Sequence, residues 1–321
     1  MKKPNLFIVG QQKSGTTALH YFLEQHPEVF MSRPKEVHFF CKDFHKLSRK
    51  FHKNNAKAFY ETQDMKTYLN LFSKAKSEKI LGDASPNYIH SRTSANQIYK
   101  FDPKAKIIIM LREPSAFVHS LHRQYVNETS EDIENFEKAL EVESDRKKGK
   151  KIPYRIRCPT YLYYFERIKY AEQIKRFLKY FPRRQVKIII FDDFKKNNAK
   201  IYKEVLRFLE IDETFAPDFK IVHGSKKPKS EKLNKIFRNP LLTNIPKSIL
   251  SPRIYDKIQL KVQELLMKEG GFEPPVDPII KRRLMKKFKS EVVKLNNLLH
   301  KEDFLDKKRD LVKEWSYNKI K

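Results

Sequence analysis

Cysteine, glycine and long apolar runs are all scarce in this chain, and each scarcity removes a class of protein. Cys41 and Cys158 are the only two cysteines in 321 residues. They share no C-x-x-C spacing and no companion histidine pattern, which excludes a disulfide scaffold and leaves no metal expected. There are seven glycines, no internal repeat and no Gly/Ser tract. With no flexible linker to part the chain, a single domain over residues 1–321 is expected. No segment reaches the roughly 18 consecutive apolar residues that a membrane span requires. An apolar strand begins at Leu6 with no signal-type apolar core before it. The expected address is therefore cytoplasmic, with peripheral contact to an anionic membrane left open.

Acidic residues are the minority charge. There are 39 Asp and Glu against 68 Lys and Arg, a formal net charge of +29. Such a field favours polyanionic ligands, anionic surfaces or highly charged cofactors. Basic residues concentrate between Arg146 and Arg157 and again between Lys281 and Lys289. Neither run carries the interleaved aromatics or zinc spacing of a nucleic-acid module, so no specific nucleic-acid partner is expected.

What the chain does contain is enough apolar and aromatic residue, 40% and 12%, to bury a sizeable core. Short apolar runs at 6–9, 29–31, 80–83, 106–111 and 186–191 read as strands. Helical spacing appears at 17–25, 115–126, 159–180, 202–209, 255–267 and 278–299. Strands separated by helices of crossover length predict an α/β fold, with a central parallel sheet flanked by helices in three layers and a helical C-terminal part. The charged segment 128–157 lacks strong periodicity and reads as a mobile lid.

The stretch Leu6-Phe-Ile-Val-Gly-Gln-Gln-Lys-Ser-Gly-Thr-Thr-Ala-Leu19 runs an apolar strand into a small-residue loop that opens a helix. Unpaired N–H groups and the positive end of the helix dipole make such a loop an anion cradle. Gly10 and Gly15 keep the P-loop spacing, but Thr16-Thr17 stands where Lys-Ser/Thr would follow. The lysine has moved to position 13, and the magnesium-binding pair is broken. What remains suits a 5′-phosphate. Gly10 to Thr17, Asp83 to Tyr88 and Arg112 all fall at strand ends, where open α/β sheets bind ligands.

Several patterns together resemble the sulfotransferases that use 3′-phosphoadenosine 5′-phosphosulfate (PAPS), in particular bacterial carbohydrate enzymes related to the heparan sulfate sulfotransferases. Gln12-Lys13-Ser14-Gly15-Thr16-Thr17 is similar to the family's phosphosulfate cradle. Ile107 to Arg112-Glu-Pro, followed by Ser120, resembles its 3′-phosphate site. Lys35-Glu36-Val-His38-Phe-Phe40 resembles the segment that carries its catalytic glutamate. Supporting matches are Asp83 to Tyr88, the Tyr170 helix, the loop 223–230 and Leu311 to Trp315.

The resemblance implies transfer of a sulfuryl group from PAPS to a hydroxyl or amine of an acceptor, with adenosine 3′,5′-bisphosphate as product and no metal. Lys13, Ser14, Gly15, Thr16 and Thr17 are expected to hold the 5′ group, with Lys13 stabilising the leaving phosphate. Arg112, Ser120, Tyr170, Gly224, Ser225 and Lys226 are expected around the 3′-phosphate and adenine. Glu36 is the expected base, with His38 orienting it or the acceptor. Lys35, His38 and Asp83 are expected to bind the acceptor, a glycan or glycolipid that can be anionic. Animal heparan sulfate enzymes carry Lys where this chain has Ala84. The alternatives are a P-loop nucleoside or sugar kinase and a non-catalytic basic polyanion-binding protein.

Overall fold

The structure is a computed structural model, and it describes residues 2–52, 60, 62–219, 226–228, 267–269 and 275–320. Five apolar runs form strands: β1 (Leu6–Gly10), β2 (Val29–Met31), β3 (Ile80–Ala84), β4 (Lys106–Leu111) and β5 (Val186–Ile190). They lie in the order β2-β3-β1-β4-β5, and each neighbouring pair is parallel. Central β1 pairs Leu6 with Gly82 on one side and with Lys106 on the other.

The alternation of side chains along a strand then divides the core. Phe7, Val9, Ile107, Ile109 and Leu111 enter one apolar cluster, while Leu6, Ile8, Ile108 and Met110 enter the other. Both faces are covered, which is why these strands read as continuous apolar runs. One cover is α1 (Thr16–Glu24), through Leu19, Phe22 and Leu23, with the helix Asn198–Leu209 beside it. No clear periodicity marks Asp43 to Lys57, yet a helix α2 (Lys42–His52) forms there. Two further helices follow in the chain, α3 (Met65–Asn70) and α4 (Ser94–Phe101). The opposite cover is α5 (Pro114–Asn127), packed with the helices Tyr170–Leu178 and Pro278–Lys301. The expected three-layer α/β architecture is present.

Two local expectations need correction. The long helix expected over 159–180 is three pieces: a 3-10 turn Pro159–Leu162 and helices Tyr164–Arg167 and Tyr170–Leu178. Tertiary partners make the breaks tolerable. Glu143 accepts from the Phe165 N–H at 2.7 Å, and Gln173 Nε2 donates to the Glu166 and Arg167 carbonyls at 3.0 and 3.2 Å. The segment 128–157, expected as a mobile lid, is instead anchored. It contains helices Phe136–Glu141 and Glu143–Lys147. Its Glu131 and Arg146 form a fully buried two-pronged pair at 2.7 and 2.8 Å, with the Tyr164 hydroxyl donating to Glu131 at 2.9 Å. The helix expected over 255–267 falls on residues outside those described, apart from Met267, which opens a short strand.

Candidate active site

Between Gly10 and α1 the chain forms a tight loop in which Lys13 and Gly15 have φ of 58° and 87°. A Cβ on Gly15 would stand 3.1 Å from the Phe194 ring, so conformation and space both demand glycine there. Gly15 offers α1 no side-chain cap, and no acidic residue lies in the first turn. The N–H groups of that turn therefore keep their capacity for an anion. Ser14 is buried and donates to the Gln12 carbonyl at 3.2 Å; Thr16 is also buried.

At the end of adjacent β4, Arg112 donates from Nη1 to the Lys13 carbonyl oxygen at 3.0 Å, and its guanidinium lies 5.1 Å from the Phe191 ring centre. The fold thus brings Arg112 and the cradle together. Tyr170 was expected against the 3′-phosphate or adenine. It is instead 1% exposed, with its hydroxyl donating to the Arg112 carbonyl at 3.0 Å. Its visible work is to fix the backbone of Arg112. Ser120 is buried on α5. Gly224 and Ser225 lie outside the described residues, and Lys226 begins a short strand paired antiparallel with Met267–Glu269.

Residues 35–40 cross the carboxyl end of β3. The Glu36 N–H donates to the Ala84 carbonyl at 3.1 Å, and the His38 N–H to Ser85 Oγ at 3.0 Å. Glu36 and His38 have φ of 64° and 54°, so the two side chains do not share one face of an extended segment. The Glu36 side chain is 36% exposed. Lys35, expected to bind acceptor, is spent within the site: Nζ donates to Thr17 Oγ1 at 2.7 Å and to Glu36 Oε1 at 3.3 Å. Crowding by the protein opposes ionisation of Glu36, but the Lys35 ammonium and, further off, Arg157 outweigh it and hold the carboxyl below its ordinary value.

Burial removes His38 and Asp83 from the expected acceptor contacts. Burial lowers the His38 ring to about 3, and at 1% exposure it has no surface with which to touch an acceptor. Its Nε2 lies 3.0 Å from Asn87 Nδ2. Asp83 is fully buried. Ser85 donates to one of its oxygens at 2.7 Å, and Tyr68 and Tyr88 donate to the other at 2.9 and 2.7 Å. Burial pushes its carboxyl up while the three hydroxyls pull it back. Asp83 is an anchor beneath the Glu36 loop, where an acceptor cannot reach it.

Several residues that no motif singles out complete this region. Gln12 Oε1 accepts from the Tyr125 hydroxyl at 3.0 Å and from Arg167 Nη2 at 2.5 Å. Arg157 lies 5.7 Å from the Tyr60 ring centre, and its charge reaches Glu36 and Glu128. Gln12 and Asn87 sit inside the 12–17 and 83–88 motifs, and Arg157 ends the basic run that begins at Arg146. Arg167 carried no signal.

A sequence model of the Sulfotransferase family matches residues 4–216. The chain belongs to the sulfotransferase family. This sulfotransferase is 29% identical over 217 residues to the human bifunctional heparan sulfate N-deacetylase/N-sulfotransferase 3, an alignment covering 65% of this chain and 22% of that protein. It is 27% identical over 111 residues to the membrane-associated sulfotransferase kil1 of Dictyostelium discoideum, covering 35% of this chain and 21% of that one. The chain therefore spans about a fifth of these curated relatives. Among solved structures, a sulfotransferase from Alicyclobacillus acidocaldarius superposes with a TM-score of 0.69 at 25% identity, over 98% of this chain and 100% of that one. Among the described residues of this chain no His, Cys, Asp and Glu gather into a metal-ligating group, and no helix is long and apolar enough to cross a membrane.

Proposed function

We propose that this sulfotransferase moves the sulfuryl group of PAPS to a hydroxyl or amine of a carbohydrate or glycolipid acceptor, with residues 1–321 acting as one catalytic domain. The cradle fits the donor. An uncapped helix start and the Thr16 and Thr17 hydroxyls suit the 5′-phosphate, and Arg112 at the end of β4 suits the 3′-phosphate. Glu36 takes the acceptor proton as the new O–S or N–S bond forms. As the bond between sulfur and the bridging oxygen breaks, Lys13 offsets the charge that grows on the departing phosphate. An in-line displacement of this kind depends on positioning more than on covalent help from the protein.

The observation that carries this reading is the Lys35 side chain. It spans from Thr17 in the cradle to Glu36 at 2.7 and 3.3 Å, so anion site and base stand on either side of one ammonium. A carbohydrate acceptor is supported by the heparan sulfate enzymes among the relatives.

The test is incubation with labelled PAPS and a panel of glycans, glycolipids and peptides, followed by identification of the labelled product. Glu36→Gln should lower kcat by about 10²- to 10⁴-fold, and Lys13→Ala by about 10²- to 10³-fold. Full turnover by Glu36→Gln on a good acceptor removes the base assignment. Magnesium-dependent ATP hydrolysis would revive the kinase reading.

A further inference from the structure

Behind the cradle lies an arginine that no step above uses. Arg167 is 1% exposed and its guanidinium sits 5.7 Å from the Tyr161 ring centre. Two of its nitrogens, Nε and Nη1, have no hydrogen-bond partner, a cost that packing alone does not explain. The third, Nη2, spends its two hydrogens on two different loops. One goes to Gln12 Oε1 at 2.5 Å, next to Lys13; the other goes to Asn87 Oδ1 at 2.9 Å.

The donor inventory then fixes the state of a histidine. A guanidinium only donates, so the Asn87 atom facing Arg167 must be its carbonyl oxygen. That turns the Asn87 amino group toward His38, where Nδ2 lies 3.0 Å from Nε2. An amino group also only donates, so His38 Nε2 must be a bare acceptor. A neutral imidazole then carries its proton on Nδ1, the ring nitrogen turned away from Asn87.

We infer that Arg167 is a positioning residue: through Asn87 it fixes His38 as the neutral tautomer protonated on Nδ1, and through Gln12 it ties that setting to the donor cradle. His38, two residues from Glu36, is then a hydrogen-bond donor in the loop that holds the base and is no second base. The catalytic part of this statement rests on the function proposed above; the tautomer does not.

Nitrogen-15 NMR of the full chain with labelled histidine tests it, the His38 signals being assigned by their loss in His38→Gln. At neutral pH the expected result is a pyrrole-type shift on Nδ1 and a pyridine-type shift on Nε2. Asn87→Asp offers His38 only acceptors and should move the proton to Nε2. Arg167→Lys keeps a donor and should preserve the tautomer, while Arg167→Met should mix the tautomers and lower kcat about 10-fold or more with a smaller change in acceptor KM. A wild-type spectrum with the proton on Nε2, or an Asn87→Asp spectrum like the wild type, overturns the inference. The wild-type spectrum decides even if a variant fails to fold. A protein that shows the expected tautomer but transfers no sulfuryl group leaves this inference standing and removes the proposed function.

Discussion

Two helices begin at the carboxyl edge of the sheet, directly after the neighbouring strands β1 and β4, and they treat their positive ends in opposite ways. At α5 the chain supplies its own anion. Glu113 accepts from the N–H groups of Ser115 and Ala116 at 2.9 and 2.8 Å, from Ser115 Oγ at 2.6 Å and from the Tyr317 hydroxyl at 2.5 Å. At α1 the cap is Gly15, with no side-chain bond and no acid in the first turn. Both helices carry the same dipole, so placement at a strand end does not by itself make a binding site. The difference between the two starts is whether the sequence supplies a carboxylate of its own.

The largest expected effect comes from making α1 resemble α5. Thr17→Asp places a carboxylate at the open start, where at an effective dielectric of about 20 a like charge some 4 Å away costs about 4 kcal/mol. Calorimetric titration with adenosine 3′,5′-bisphosphate should show affinity falling about 100-fold or more, with the thermal midpoint little changed. Unchanged affinity would mean that the nucleotide does not bind at α1. The converse change, Glu113→Ala, uncaps α5 and strands the buried Tyr317 hydroxyl. Urea denaturation should report a loss of about 2 kcal/mol.

A third prediction concerns Lys35, the cation that joins the α1 start to Glu36. Because Lys35 helps hold the Glu36 carboxyl below its ordinary value, activity should persist as pH falls to below about 4.3 and be lost only as Glu36 is protonated. Lys35→Met removes that support, so the acid limb of kcat/KM should move to higher pH; an unmoved limb assigns it to another group. The smallest effect is expected for Tyr317→Phe, which removes one hydrogen bond to Glu113. Stability should fall by about 1 kcal/mol with nucleotide affinity unchanged.

The cradle was legible in the sequence because it is local. One strand, one loop with Gly15 and one helix are contiguous, and the spacing of their residues fixes their geometry. Arg112 was legible for the same reason, standing at the end of a five-residue apolar run. Asp83 and Tyr170 stand out in the sequence, but their partners, three buried hydroxyls and the Arg112 carbonyl, do not. Sequence cannot distinguish a carboxylate that faces a ligand from one that faces three buried hydroxyls. The break at Tyr163 and Lys169 was also illegible, since the aromatic spacing through 159–180 is helical and only contacts from Glu143 and Gln173 make the interruptions stable. Residues 128–157 look like a solvated loop because the pair that anchors them, Glu131 and Arg146, is built from two charged residues.

By itself, the sequence determined the strands, their parallel sheet and the strand–loop–helix turn at Gly15, since periodicity and backbone conformational preference act over a few neighbouring residues. The tertiary structure alone decided which polar side chains meet. Arg167 reaches Gln12 and Asn87 across 155 and 80 residues of chain, and only the folded packing sets burial, ionisation and hydrogen-bond direction at such distances.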